Sequence, residues 1–192
     1  MMDENLTLTG ALFRRHRCVL LAGGVPLFFL CVFLCRENGR LLEGVVLTAF
    51  LWVAAVFDYY YGLIFDRLTF PMALLAVCFR FHGIMDAPDL MLGALAGGVP
   101  LLVLAILTNG GMGGGDVKLL AAGGIWLGWQ GALLALAIAS WFGGLAAIFL
   151  LVSGRRKRKE AMVFGPFLSI GIWTAFFFGH RLLAAYGANC FG

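Results

Sequence analysis

Apolar segments follow one another along almost the whole chain, separated only by short charged or glycine-bearing stretches, and that pattern restricts the fold more than any motif does. Windows bounded by charge or glycine predict seven helices, at roughly residues 18–35, 41–57, 68–84, 90–108, 117–129, 131–152 and 163–185. A helix rises about 1.5 Å per residue and a bilayer's hydrocarbon core is about 30 Å thick, so most of these can cross it with their flanking residues. Of the 192 residues, 62% are hydrophobic and 12% charged. A soluble domain averages about 45–50% apolar and about 25% charged. No interior of this size hides that much apolar surface, so lipid must cover the rest. The expectation is an all-α, polytopic transmembrane helix bundle of about six to seven spans, one integral-membrane domain over residues 1–192.

The net charge of +4 is distributed as membrane topology would distribute it. Arg14-Arg15-His16-Arg17 and Arg155-Arg156-Lys157-Arg158-Lys159 each flank an apolar segment, the bias of cytoplasmic loops, and no nucleic-acid partner is expected. With residues 1–17 in the cytoplasm, counting spans returns the second basic run to the same side. The count also brings 58–67 and 109–116 there, and puts Arg36, Arg40, Asp86, Asp89 and the C-terminus outside. Arg80, His82, His180 and Arg181 then fall near outer helix ends, where long cations snorkel. The first apolar run is longer than the core of a signal peptide and no small-x-small site follows it, so it reads as a retained span. Cys18, Cys31, Cys35, Cys78 and Cys190 contain no C-x-x-C pair and read as small apolar residues. No metal and no organic cofactor is expected.

Two acids break the apolar pattern at the predicted cytoplasmic face. Asp58 closes the second segment, and Asp116 follows Gly113-Gly114-Gly115 at the start of the fifth. A carboxylate at membrane depth is expensive and marks a functional site by default. The fifth segment has 13 residues, about 20 Å of helix, so Asp116 should lie inside the cytoplasmic leaflet. The loop 110–115 would dip in with it, which is tolerated only around a wet cavity or inside protein. Two aspartates a few ångströms apart cannot both ionise cheaply and therefore share a proton near neutral pH. Such a pair can hydrolyse a peptide, one acid deprotonating water and the other polarising the carbonyl. The proton belongs to the pair, so neither residue is assigned base or acid. Gly113 and Gly115, without Cβ atoms, would let backbone approach an extended substrate. Lys118 would snorkel at the interface, tune the acids or hold substrate. A phosphate-binding loop would need a Gly-Lys-Ser/Thr ending, which is absent. The glycine pairs 97–98, 123–124 and 143–144 predict close helix packing.

Gly113-Gly114-Gly115-Asp116-Val117-Lys118-Leu119-Leu120-Ala121-Ala122, followed by Trp126-Leu127-Gly128-Trp129, resembles the type IV prepilin peptidases, membrane aspartyl proteases of the GxGD class. Asp58, with Asp66-Arg67-Leu68-Thr69-Phe70-Pro71 beginning eight residues on, resembles the segment bearing the family's first catalytic aspartate. Phe164-Gly165-Pro166-Phe167-Leu168 resembles its last motif, and the likeness runs from about residue 45 to 175. The resemblance implies that Asp58 and Asp116 are the catalytic pair, with Gly113, Gly115, Lys118, Asp66, Gly165 and Pro166 in support. It implies an endopeptidase in the prokaryotic inner membrane that cleaves leader peptides from prepilin-like precursors at the cytoplasmic face. The sequence does not separate pilin, pseudopilin and preflagellin substrates. Phe65 stands where the family usually has proline. Longer bacterial members add a cytoplasmic cysteine-bearing domain and methylate the new N-terminus, so cleavage without methylation is expected here. Presenilin-like proteases share the GxGD aspartate but carry a Pro-Ala-Leu motif not found in this chain. The alternative from another class is a small proton- or cation-coupled transporter using the same aspartates as a relay.

Overall fold

The computed structural model describes residues 17–35, 40–81, 87–108, 112–153 and 163–185. Its elements are α1 (Arg17–Cys35), α2 (Leu41–Tyr61), α3 (Asp66–Phe81), α4 (Ala87–Leu107), α5 (Gly114–Val152) and α6 (Gly165–Ala185). Among the described residues there is no strand. Helices α2, α4, α5 and α6 are long and apolar enough to cross a membrane. Their outward faces agree. Met91, Leu95, Val99, Leu102 and Ile106 are exposed along α4, and Trp141, Leu145, Ile148, Phe149 and Val152 along α5. Apolar surface this continuous must be covered by lipid or protein. The chain is a multi-pass membrane protein.

The chain divides inside α2 into two compact units, residues 1–53 and 54–192. In the first, the Trp52 ring lies over Gly23 and Gly24 of α1, where a Cβ on Gly23 would collide with it. The second unit carries everything described below. There α5 packs against α4, α6 and α3. The α4–α5 contact is backbone on backbone, because a Cβ on Gly93 or on Gly124 would strike the other's carbonyl, and one on Gly97 would strike that of Leu120. Small residues face inward and large apolar ones face outward, the usual arrangement of membrane helices. The pair 97–98 was legible beforehand; Gly93, at Gly-x-x-x-Gly spacing from Gly97, was missed.

Helix α5 is two helical segments joined at Gly128, whose φ of 74° and ψ of 175° lie where only glycine is comfortable. The chain reverses there. Gly123 packs on Ile172 while Ala135 and Ala139 pack on Gly171. In one straight helix residues 123 and 135 would stand about 18 Å apart, so adjacent residues of α6 could not meet both. Segment 114–127 therefore runs parallel to α6, and segment 129–152 returns antiparallel to it. This recovers the predicted fifth and sixth helices within one continuous element. Trp126 anchors the reversal. Its indole N–H donates to the Met72 carbonyl at 3.0 Å, and its ring meets Phe79 and Phe176 at centroid distances of 5.6 and 6.5 Å.

Four expected boundaries shift to take in an aspartate. Helix α2 continues to Tyr61 rather than 57, α3 begins at Asp66 rather than 68, α4 begins at Ala87 rather than 90, and α5 begins at Gly114 rather than 117. Each shift brings an aspartate inside a helix, because one charge ends an apolar window without ending the hydrogen-bonded spiral. Gly114 and Gly115 are accordingly helical, not part of a dipping loop. Arg80 does not snorkel. It is buried, 9% exposed, and its guanidinium donates to the Trp126 carbonyl, which the break at Gly128 leaves without a helical partner. His180 and Arg181 are exposed at the end of α6. Residues 1–16, His82 and the basic run 155–159 lie outside the described residues.

Candidate active site

Three helix ends meet at one end of the second unit. Helix α2 stops in a left-handed cap: Gly62 has φ 61°, and its N–H donates to the Asp58 carbonyl at 2.8 Å. That fixes Asp58 one turn before the end of α2. The Phe65 carbonyl then opens α3 by accepting from the N–H of Leu68 at 2.9 Å. The Phe65 ring stands edge-on to Phe57, with centroids 5.7 Å apart. Phe65 thus holds the α2–α3 turn by an aromatic contact.

Helix α6 begins with a defect that Asp58 repairs. Phe164 accepts the first helical bonds, from Phe167 and Leu168 at 3.0 and 3.1 Å, but its side chain has no oxygen to cap the free N–H groups. Pro166 has no N–H to satisfy. The remaining donor, Gly165 N–H, gives its hydrogen to Asp58 Oδ2 at 2.7 Å. The positive end of the α6 dipole therefore faces that carboxylate. No other residue fits at 165, since a Cβ there would lie 2.5 Å from Asp58 Oδ2 and 2.8 Å from its Cβ and Cγ.

Asp116 is held by the same logic within its own helix. Gly113 precedes α5, and its carbonyl accepts from Asp116 N–H at 3.1 Å. The Asp116 side chain reaches back to the Gly113 N–H, one half of a capping box, since glycine has no side chain to return the bond. Asp58 and Asp116 are 5% and 6% exposed, and lie close enough for their charges to act on each other. Asp58 Oδ2 is occupied by Gly165. Asp116 Oδ1 is buried and has no hydrogen-bond partner, so one carboxylate oxygen of the pair remains free to meet a ligand.

The supporting residues separate into two groups. Gly113, Gly165 and Pro166 touch or frame the aspartates. Gly115 does not offer its face to a substrate, because Ile64 fills the space where its Cβ would be, 2.8 Å from the Ile64 Cβ. Lys118 points elsewhere and binds both oxygens of Asp66 at 2.7 Å. This exposed pair stands at the mouth of a groove of about 360 Å³ lined by Thr69, Phe70, Ala121 and Ile125 among others. The groove lies on the flank of α5 opposite Asp116 and Gly123. Among the described residues no three of His, Cys, Asp and Glu gather as metal ligands. The sequence reading passed over Ser169, buried and without a hydrogen-bond partner; its spacing of four from Gly165 was the available signal.

Membrane-crossing helices with two buried carboxylates, brought from different helices to the start of a third, define an integral-membrane protein built around a paired-acid centre. The type IV leader peptidase family matches residues 45–148, over half the chain and including Asp58 and Asp116. The chain belongs to that family. It is similar to the prepilin leader peptidase/N-methyltransferase of Xanthomonas campestris pv. campestris, 37% identical over 149 residues that cover 74% of this chain and 52% of that protein. The Pseudomonas putida protein of the same description is 29% identical over 200 residues, 95% of this chain and 69% of the relative. That of Escherichia coli (strain K12) is 36% identical over 128 residues, 64% and 56% respectively. The chain spans about half the length of most of these relatives. No solved structure matches it significantly.

Proposed function

We propose that the chain is an aspartic-type membrane endopeptidase that removes the leader peptide from prepilin-like precursors, whether pilin, pseudopilin or preflagellin. Asp58 and Asp116 are its catalytic residues. The observation that carries this reading is the buried pair, with one oxygen held by Gly165 N–H and another left free. One ionised carboxylate takes a proton from water as the water oxygen adds to the scissile carbonyl carbon. The protonated partner gives its proton to the carbonyl oxygen. When the C–N bond breaks, the leaving nitrogen takes the proton drawn from water, and the diol returns one to the other carboxylate. The pair ends with the single proton it began with. Gly113 and Gly165 position the acids, Pro166 spares α6 an unmatched donor, and the exposed Asp66–Lys118 pair ties α3 to α5 on the flank away from the acids.

The chain acts as one peptidase domain in the prokaryotic plasma membrane, crossing six to seven times with residues 1–17 in the cytoplasm. The site then faces the cytoplasm, where a precursor's basic leader meets its membrane-held apolar helix. Labelling a cysteine placed at Lys157 tests this orientation; access from outside would invert it. Family membership leaves the transporter alternative without support.

The test is co-expression with a panel of prepilin-like precursors, followed by a leader-sized mobility shift. Asp58→Asn and Asp116→Asn are each expected to abolish the shift while remaining inserted. Appreciable cleavage by either variant would remove that residue from the pair.

A further inference from the structure

Among the described residues, two buried polar side-chain atoms lack a hydrogen-bond partner, Asp116 Oδ1 and Ser169 Oγ. They belong to facing helices. Gly165, Ser169 and Ile172 occupy one stripe of α6, at i, i+4 and i+7. The upper member of the stripe touches Asp58 and the lower one touches Gly123. On segment 114–127 of α5, Asp116 and Gly123 are likewise i and i+7. Because Gly123 lies beside Ile172 and Trp126 beside Phe176, the two helices run parallel in matched register. Asp116 is thus level with the start of α6, and Ser169 lies one helical turn, about 6 Å, further in. The hydroxyl thus lies one turn below the level of the two carboxylates, on the stripe of α6 that begins at Gly165.

A serine serving only its helix would bond back to the carbonyl four residues earlier, and Ser169 makes no such bond. A buried hydroxyl without a partner destabilises the fold unless a ligand satisfies it. A water molecule is stably buried when two or more polar groups hold it. Two such groups, Asp116 Oδ1 and Ser169 Oγ, stand unpartnered on facing helices at adjacent levels.

We propose that the Ser169 hydroxyl is a positioning group that holds the attacking water against the aspartate pair. The inference rests on the peptidase reading above. Ser169 Oγ accepts one O–H of the water while the ionised carboxylate accepts the other, leaving an oxygen lone pair directed at the scissile carbonyl. Ser169 exchanges no proton with substrate, and its contribution is orientation.

Steady-state cleavage of a processed precursor by the full chain in lipid vesicles tests this, alongside thermal melting. Ser169→Ala removes only an oxygen and places a better helix former in α6, so its melting temperature should equal or exceed that of the wild type. Its kcat should fall about 10- to 100-fold with KM within about twofold. Ser169→Cys, which keeps a weaker hydrogen-bonding group in place, should fall between alanine and wild type. Wild-type kcat in Ser169→Ala, with both aspartate variants dead, would overturn the inference and leave the peptidase standing. A loss of kcat matched by a lower melting temperature would overturn it in favour of a structural role, and a rise in KM alone in favour of substrate binding. No cleavage of any precursor by the wild type would remove the peptidase reading and this inference together.

Discussion

Gly165→Ala is the sharpest perturbation of the site, because it adds one methyl group against a known carboxylate. The new Cβ would stand 2.5 Å from Asp58 Oδ2 and 2.8 Å from its Cβ and Cγ. Non-bonded carbon atoms rest at about 3.5–4.0 Å, so Asp58 must retreat by about 1 Å and lose its 2.7 Å bond to the Gly165 N–H. A reacting group misplaced by about 1 Å slows catalysis on the order of 100-fold. Overpacking of this kind destabilises a protein by about 1–3 kcal/mol. Precursor cleavage should therefore drop about 100-fold in a protein that still inserts and still melts cooperatively. Gly144→Ala supplies the comparison, since a Cβ there meets nothing within 4 Å, and it should cleave at the wild-type rate. A folded Gly165→Ala protein cleaving as fast as Gly144→Ala would refute the reasoning. Asp58 would then have no need of its position under α6.

Two further predictions concern the scaffold and the exposed ion pair. Gly124→Ala drives a Cβ into the Gly93 carbonyl where α4 crosses α5, and should lower stability by about 1–3 kcal/mol in a detergent melt; an unchanged melting temperature would contradict that close crossing. The Asp66–Lys118 pair is exposed, at 71% and 55% of the respective side chains. A double-mutant cycle with Asp66→Asn and Lys118→Met should give a coupling of at most about 1 kcal/mol, smaller in high salt, and a larger, salt-insensitive value would show the pair to be shielded.

The helices were legible because apolar windows are a local property, and membrane helices need little else to form. Their ends were less so. Asp58, Asp66 and Asp116 each stop a hydropathy window, yet each lies inside a helix, because an acid near a helix end can be satisfied there, by distant groups for Asp58 and Asp66 and by adjacent Gly113 for Asp116. Arg80 gives the same lesson with opposite charge. Its neighbours suggest an interfacial cation, but the carbonyl that draws it inward becomes free only through the reversal at Gly128, 48 positions later. Glycines were read correctly as a class and not always in their roles. Gly115 was expected to face a substrate and instead receives Ile64, a contact between two loop-flanking segments that no spacing rule reveals. At the site, motifs marked Asp58, Asp116 and Gly165, while the bond between Asp58 and Gly165 and the unpartnered Ser169 hydroxyl depend on how α5 and α6 register.

Asp58 finds its donor 107 positions further along the chain, and this separation orders events during synthesis. Both acids leave the ribosome before α6 exists. Until Gly165 arrives, Asp58 lacks the N–H that holds it, whereas α6 finds its cap already made. The last long helix and the first acid therefore mature together. A nascent chain can hold both aspartates without an assembled centre, and the arrangement of Asp58 under α6 becomes a property of the finished bundle.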